Sequence, residues 1–169
     1  MGSEMCIRDS IKVAGISVLG VNGIKSRIKI PAYGKYLRRL ILKNRLEGKV
    51  RVLGNLSAEE MKREYLSAQI FVCPSAVENS PNSVAEGQLL GVPVAASRTG
   101  GIPDVVKDGV SGLLFEKGNV HELAACVSRI LTDKQLAKEL SASERETAAK
   151  LYNGENNYQK LIEIYQSIE

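Results

Sequence analysis

Two carboxylates, Glu78 and Glu86, bracket the run Asn79-Ser80-Pro81-Asn82-Ser83 where an apolar segment gives way to a helix-forming one. Pro74 stops the apolar run QIFVCPS, and Ser, Pro and Asn are residues that begin helices. The pattern predicts a strand-to-helix loop over 75–80, with Ser80 as N-cap and Pro81 at the first helical position. The N–H groups of Asn82 and Ser83 would then lack intrahelical partners and, with the positive end of the helix dipole, would suit a phosphate. Glu86, four residues after Asn82 and three after Ser83, falls on the flank away from Val84, Ala85 and Leu89 and can project toward the same cleft. Glu78 precedes the cap, about 9 to 12 Å away at ~1.5 Å per helical residue plus the loop. One carboxylate on each side of a diphosphate matches the shape of a nucleotide-sugar, with Glu86 accepting from ribose hydroxyls and Glu78 approaching the sugar. The plainer alternative is an exposed loop charge at Glu78 and a helix-surface charge at Glu86, and spacing alone does not separate the two.

A loop of that kind needs a sheet behind it. Short apolar runs alternate with longer periodic ones along the chain, the pattern of parallel strands joined by helical crossovers. KVAGISVLG reads as a buried strand and GIKSRIKIPAYG as a basic loop. KYLRRLILKNRL reads as a helix with Leu37, Leu40, Ile41 and Leu46 inward, ended by Gly48. KVRVLG is the next strand, and SAEEMKREYLSA a helix whose Ser57 and Glu60 form a capping box. QIFVCPS, PVAAS and SGLLF are further strands, NSVAEGQLLG is a short helix closed by Gly91, and TGGIPDVV is a glycine turn into another helix. Everything after Asn119 is helical in character: HELAACVSRILTD, KQLAKELSASERETAAKLY and NNYQKLIEIYQSIE. The whole predicts an α/β fold, a Rossmann-like doubly wound parallel sheet over residues 11–169. A GxGxxG fingerprint is absent, and no acidic ribose partner follows the first strand, so a dinucleotide cofactor has no support. Gly100, Gly101 and Pro103 make either a ligand-facing turn or a structural connection, and backbone geometry is reason enough for glycine there.

Composition narrows the partners. A chain of 169 residues, 44% hydrophobic and 25% charged, is ordinary for one globular domain with a sizeable core. No apolar run approaches the ~20 residues of a membrane span. The opening MGSEMCIRDS lacks both periodicity and the apolar centre of a signal peptide, so residues 1–10 are read as a non-native leader and the location as cytoplasmic. Cys6, Cys73 and Cys126 are odd in number and far apart, which suggests neither a disulfide framework nor a zinc site; Cys73 and Cys126 read as inert core residues. His121 opens a late helix and reads as a surface residue. The net charge of +4 is uneven, for Lys25, Arg27, Lys29, Lys35, Arg38, Arg39, Lys43, Arg45, Lys49 and Arg51 face only Glu47 within one segment. That segment is either a solvated helix face or a surface that attracts phospholipid headgroups or nucleotide phosphates. Nucleic acid is disfavoured, because the segment's aromatics are Tyr33 and Tyr36 and no recognition motif accompanies them.

The stretch FVCPSAVENSPNSVAEGQLLGVPVAASRTGGIPDVVKDGVSGLLF resembles the signature of family 4 retaining glycosyltransferases of the GT-B fold. That signature is a strand ending in Pro-Ser, then Glu, seven residues, Glu, G-x-P-V, a small-residue strand, Gly-Gly-x-P and G-x-x-G-x-L, and every part stands here in order. The resemblance covers most of residues 12–169. It implies the C-terminal, donor-binding half of an enzyme that passes a sugar from a UDP- or GDP-sugar to an acceptor hydroxyl, such as a glycan or lipid-linked sugar, with retention. It implies Glu86 as the ribose ligand, Glu78 beside the donor sugar as the catalytic candidate, and Asn79, Ser80, Pro81, Asn82 and Ser83 as the diphosphate loop. No DxD triplet occurs in the chain, which fits a metal-independent, cofactor-free mode in which helix dipoles and basic side chains stabilise the leaving diphosphate. Two departures stand out. Gly87 follows the second glutamate where the family usually has Ala, and only the second of two Rossmann-like domains is matched. The family's diphosphate-holding Arg and Lys would lie before Ile11, the acceptor-binding N-terminal domain would be absent, and the fragment alone is expected to be inactive. The rival readings are a non-catalytic nucleotide-sugar-binding module, and a membrane-surface or scaffold protein using segment 25–51 at the inner membrane face.

Overall fold

The computed structural model describes residues 10–14 and 32–168. The leader, Cys6, the expected continuation of the first strand, most of the basic loop, and Lys25, Arg27 and Lys29 lie outside the described residues. The described chain forms two units, residues 1–61 and 62–169, with the division inside one helix.

The first unit holds strands β1 (Ile11–Ala14) and β2 (Val50–Gly54), helix α1 (Ala32–Lys43) and the start of α2 (Ala58–Ser67). β1 and β2 pair in parallel, with Ile11 opposite Val50 and Val13 opposite Val52. On α1, Leu37, Leu40 and Ile41 are half-buried, as their spacing requires. The helix ends earlier than the glycine at 48 suggests. Arg45 takes the left-handed conformation at φ 55°, its N–H donates to the Leu42 carbonyl at 3.1 Å, and the N–H of Leu46 donates to Ile41 at 2.9 Å. Those two bonds are a Schellman stop, which arginine rather than glycine completes here, with Leu46 folding back over the last turn. The capping box of α2 forms as expected: Ser57 N–H donates to Glu60 Oε2 at 2.8 Å, and Glu60 N–H reaches Ser57 Oγ at 3.4 Å.

The second unit continues through β3 (Phe71–Cys73), α3 (Asn82–Leu90), β4 (Val94–Ser97), α4 (Ile102–Val105), β5 (Leu113–Phe115) and helices α5 (Val120–Thr132), α6 (Lys134–Leu151) and α7 (Gly154–Gln166). The strands form a parallel sheet in the order β3-β4-β5. Among the described residues all five strands are therefore parallel-paired, in one two-stranded and one three-stranded sheet. β4 is buried along its whole length, and its alternation splits the core. Val94 and Ala96 join Cys73, Val84, Ile102, Val106 and Leu114 on one side. Ala95 joins Leu113, Phe115, Ile130 and Leu140 on the other, under α5 and α6. Helix starts carry their own caps: Asn119 accepts from the N–H groups of His121 and Glu122 at 3.2 Å, and Asp133 accepts from Leu136 at 2.9 Å. His121 is exposed, as read from the sequence; Cys73 is buried and Cys126 half-buried, both free, and burial pushes the Cys126 thiol up.

One polar group inside this core has a measurable signature. Glu144 on α6 is fully buried, accepts the Val94 N–H at 2.9 Å through Oε1, and leaves Oε2 without a partner among the described residues. Burial outweighs that one hydrogen bond and pushes its pKa up to about 8. The folded state thus holds the proton more tightly than the unfolded chain, so the stabilisation is complete below the ordinary carboxylate value of 4.5 and is lost as pH rises through about 8. Denaturant titrations should show stability falling between pH 5 and 8, with a slope of at most ~1.4 kcal/mol per pH unit. Glu144→Gln should flatten that slope; an unchanged slope would show that Glu144 ionises freely when folded.

Candidate functional site

The loop between β3 and α3 stands at the carboxyl end of the three-stranded sheet. The helix begins one residue later than the sequence suggests: Pro81 occupies the N-cap position at φ −79°, ψ 66°, and no side chain caps it. The reason is local. Pro81 supplies the first carbonyl of the helix, accepting from Val84 at 2.9 Å and Ala85 at 3.0 Å, while the N–H of Asn82 turns back onto the Ser80 carbonyl at 2.8 Å. Ser80 Oγ instead meets Asn82 Oδ1 at 3.4 Å. Of the two amides expected to be free, Asn82 is therefore used, and Ser83 N–H has no partner among the described residues. Asn79, Ser80, Asn82, Ser83 and Glu86 are exposed, whereas Pro81 is buried. The inward face of α3 is Val84, Gly87 and Gln88, with Ala85 half-buried; Leu89, expected on that face, is exposed.

Glu78 is half-buried, and Ser75 Oγ donates to its Oε2 at 3.3 Å. Ser75 is itself held by β4, because Ser97 Oγ donates to the Ser75 carbonyl at 2.7 Å. The backbone of the loop rests on the Gly100-Gly101 turn. Gly100 has φ +53°, and a Cβ there would overlap the Glu78 carbonyl oxygen; at Gly101 a Cβ would lie 2.6 Å from the Asn79 carbonyl oxygen. The glycines are thus required structurally, as backbone geometry suggested, and what they support is the loop carrying Glu78. Their N–H groups, like that of Ser83, have no partner among the described residues. Arg98, the cation nearest in sequence to this turn, is paired with Asp108 and, at 3.3 Å, with Glu116. Among the described residues no three His, Cys, Asp or Glu side chains form a metal-binding group.

At the other end of the site, Glu86 sits one turn after Ser83 on the exposed side of α3. Tyr65 donates to the Ser83 carbonyl at 3.0 Å, and burial followed by the Glu86 carboxylate raises its pKa well above the ordinary phenol range. Sequence reasoning passed over Ser75, Ser97 and Tyr65. Ser97 acts through the backbone carbonyl of Ser75, 22 residues away, and that remote bond fixes Ser75 beneath Glu78; Tyr65 sits in an amphipathic helix where a buried aromatic is simply expected.

A parallel α/β unit with its strand-to-helix loop at the carboxyl ends of the strands is Rossmann-like. The chain belongs to the family of glycosyl transferases group 1, which it matches over residues 17–147. Its fold is that of the C-terminal domain of such proteins: it superimposes on the C-terminal domain of a glycosyl transferase group 1 protein from Francisella tularensis with a TM-score of 0.67 at 20% identity, covering 72% of this chain and 63% of that one. On the Anabaena protein HepE, crystallised with UDP, the TM-score is 0.78 at 21% identity, covering 94% of this chain and 49% of that one. Among relatives by sequence, the D-inositol 3-phosphate glycosyltransferase of Corynebacterium urealyticum is 32% identical over 119 residues, 70% of this chain and 28% of that protein. An uncharacterized glycosyltransferase of Methanocaldococcus jannaschii is 26% identical over 159 residues, 91% of this chain and 45% of that protein. The chain therefore spans less than half the length of these relatives.

The packing of Gly100 leads to a controlled test. Gly100→Ala should destabilise by clearly more than the ~1 to 2 kcal/mol of a non-glycine residue in the left-handed region, because the Glu78 backbone must also move. Gly109 also has a positive φ, 75°, but nothing lies within 4 Å of its Cβ position, so Gly109→Ala should show the backbone strain alone. Equal losses in chemical denaturation would mean that the Glu78 loop yields freely.

Proposed function

We propose that this chain is the donor-binding half of a retaining glycosyltransferase, taking a UDP- or GDP-sugar and passing its sugar to an acceptor hydroxyl held by a second domain of the intact enzyme. The observation that carries the reading is the start of α3: a Ser83 amide with no partner among the described residues, at the positive end of a nine-residue helix, with the exposed carboxylate of Glu86 one turn on. Membership of the glycosyl transferases, and a fold shared with HepE, which has been crystallised with UDP and with UDP-glucose, favour a nucleotide-sugar as the ligand.

The chemistry follows from charge. As the sugar leaves, negative charge grows on the diphosphate, and the Ser83 amide with the α3 dipole meets it, joined by the Gly100 and Gly101 amides. Glu86 accepts from the ribose hydroxyls and fixes the nucleoside. Glu78, oriented by Ser75, is the group assigned to the sugar, where a carboxylate stabilises positive charge building at the anomeric carbon. Asn79, Ser80, Pro81 and Asn82 shape the loop around the diphosphate. Turnover requires the acceptor-binding domain, and the present chain alone is expected to bind without transferring.

Calorimetry with UDP and GDP, without added divalent metal, should give micromolar to millimolar binding, about −8 to −4 kcal/mol. Glu86→Ala should weaken it by ~1.5 to 3 kcal/mol, the worth of hydrogen bonds to a charged group. Glu78→Gln should leave it nearly unchanged, because the sugar is missing from these ligands. If Glu78→Gln weakened UDP while Glu86→Ala did not, the polarity of the site would be reversed. If a folded chain bound neither nucleotide at millimolar concentration, the donor reading would fail. Rejoined to its acceptor domain, a chain that bound donor but transferred nothing would instead be a binding module.

A second reading concerns the first unit, and α1 favours it. Lys35, Arg38, Arg39 and Lys43 are exposed around Leu42, 51% exposed, and Tyr36, 55% exposed, while Leu37, Leu40 and Ile41 face inward. These four cations make no ion pair among the described residues, and α1 contains no acidic residue. A cationic arc with apolar side chains at its centre suits the surface of an anionic bilayer. Cosedimentation with vesicles containing anionic phospholipid should exceed that with neutral vesicles and weaken as salt rises past physiological strength, where the Debye length is about 8 Å. Equal partition to the two kinds of vesicle would remove this reading and leave the arc as a solvated helix face.

A further inference from the structure

Cys73 ends β3 with its side chain in the core beside Val84, Val94, Ala96 and Ile102. On that face a buried cysteine is by itself only a small apolar residue. Its sulfur, however, lies 3.5 Å from Ser75 Oγ, and Ser75 Oγ lies 3.3 Å from Glu78 Oε2. The first two meet because residues two apart in extended chain share a face, and the loop then returns Glu78 to the second of them.

Counting protons gives this chain of groups a direction. A carboxylate only accepts, so the single proton of the Ser75 hydroxyl goes to Glu78. The lone pairs of Ser75 Oγ are left for the thiol, and the S–H of Cys73 is the donor in the contact between them. A valine at position 73 would suit the same apolar surroundings but could not set the hydroxyl. The backbone of Ser75 is fixed separately, since its carbonyl accepts from Ser97 Oγ at 2.7 Å. One oxygen of Glu78 is thereby committed: Oε2 is held from inside the protein, whereas Oε1 has no hydrogen-bond partner among the described residues.

We infer that Ser75, its hydroxyl set by Cys73, is a positioning residue that makes Glu78 work through one oxygen: Oε1 meets the sugar of the donor while Oε2 stays on the protein. The inference rests on the reading of Glu78 as the group assigned to the sugar. A half-buried carboxylate already held by one oxygen has little rotamer freedom left to lose when a ligand meets the other. Ser75 itself touches no ligand and acts through Glu78. At 3.3 Å its bond is longer than the ~2.7 to 2.8 Å usual for a hydroxyl donor, so its effect is that of one modest hydrogen bond.

The test compares UDP-glucose with UDP by calorimetry, because the ratio of the two affinities isolates what the sugar contributes. Glu78→Ala should lower that ratio, and Ser75→Ala should lower it about three- to tenfold. The two substitutions together should lower it no further than Glu78→Ala alone. Cys73→Ala should lower the ratio less than Ser75→Ala, and Cys73→Ser, which restores a donor, should recover it. Both ligands are measured on the same variant, so a general loss of stability cannot imitate the result. The thiol supplies an independent infrared signature: the S–H stretching band that vanishes in Cys73→Ser should move to higher wavenumber in Ser75→Ala, as a donor losing its acceptor does. Losses equal for both nucleotides, or additive with that of Glu78→Ala, would reduce Ser75 to a structural residue. A band that stays in place in Ser75→Ala would remove Cys73 from the chain. If Glu78→Ala left the ratio unchanged, the assignment of Glu78 to the sugar would fall instead, and this inference with it.

Discussion

Burial of β4 on both faces is the constraint from which the second unit follows. Val94, Ala95 and Ala96 are small enough for helices to close over the strand from either side, and each is fully buried. A strand in that position leaves no polar group to water, so every one must find a protein partner. The Val94 N–H, just after Pro93, takes Glu144 from α6; Ser97 Oγ, at the other end, takes the Ser75 carbonyl. The second of these bonds reaches the loop that carries Glu78 directly. Ser75 is thereby fixed, Ser75 Oγ meets Glu78, and the residues that follow Ser97 form the Gly100-Gly101 turn on which the Glu78 and Asn79 carbonyls rest. The orientation of a candidate catalytic group thus descends, step by step, from the need to satisfy a buried strand.

Helix α3 is governed in the same way at its two ends. At its C-terminus Gly91 turns left-handed, its N–H donates to Gln88 at 2.9 Å, and that of Val92 donates to Gly87 at 3.0 Å. α6 completes that end: Arg145 donates to the Leu90 carbonyl at 3.0 Å, and Ser141 Oγ donates to that of Gly91 at 2.7 Å. A cation on the last carbonyls is also the favourable sign for the helix dipole. At the N-terminus Tyr65 holds Ser83. In the middle, buried Gln88 donates through Nε2 to the carbonyls of Val105 and Ser111, both at 3.1 Å. A short helix bound at three places cannot slide or rotate, so the spacing of the Ser83 amide and Glu86 is set before any ligand arrives.

What was legible in the sequence was whatever local chemistry decides. Strand and helix order, the capping box at Ser57 and Glu60, the stop at Gly91 and the strand-to-helix loop carrying Glu78 all follow from neighbours within a few residues. The misses are cases in which competing local solutions differ by little, or in which the partner is remote. Ser80 and Pro81 can each begin a helix, and the Asn82-to-Ser80 turn settled the matter for Pro81. Gly48 looked like the end of α1, but Arg45 accepted the left-handed conformation because two Schellman bonds offset its strain. Gln88 and Glu144 could not be assigned to the interior from their polarity, since their partners stand 17 to 50 residues away in sequence. Leu89 was assigned inward for the converse reason: its place on the inner face is taken by a polar residue whose partners the sequence does not reveal.

The two glutamates are consequently held by different physics. Glu78 belongs to a loop whose backbone is wedged against another backbone, so its position resists change as strongly as the core does. Glu86 stands on the exposed side of a fixed helix, where solvent rather than packing surrounds its carboxylate. A rigid group suits the end of a substrate where bonds break, because a charge must already be in place when the transition state forms. An adjustable group suits the end that is only recognised, where a carboxylate on a short tether can meet two hydroxyls without disturbing the sheet. The Glu86 end can therefore vary by side-chain substitution alone, while any change at the Glu78 end must be accommodated by the glycine turn and, through Ser75 and Ser97, by β4 itself.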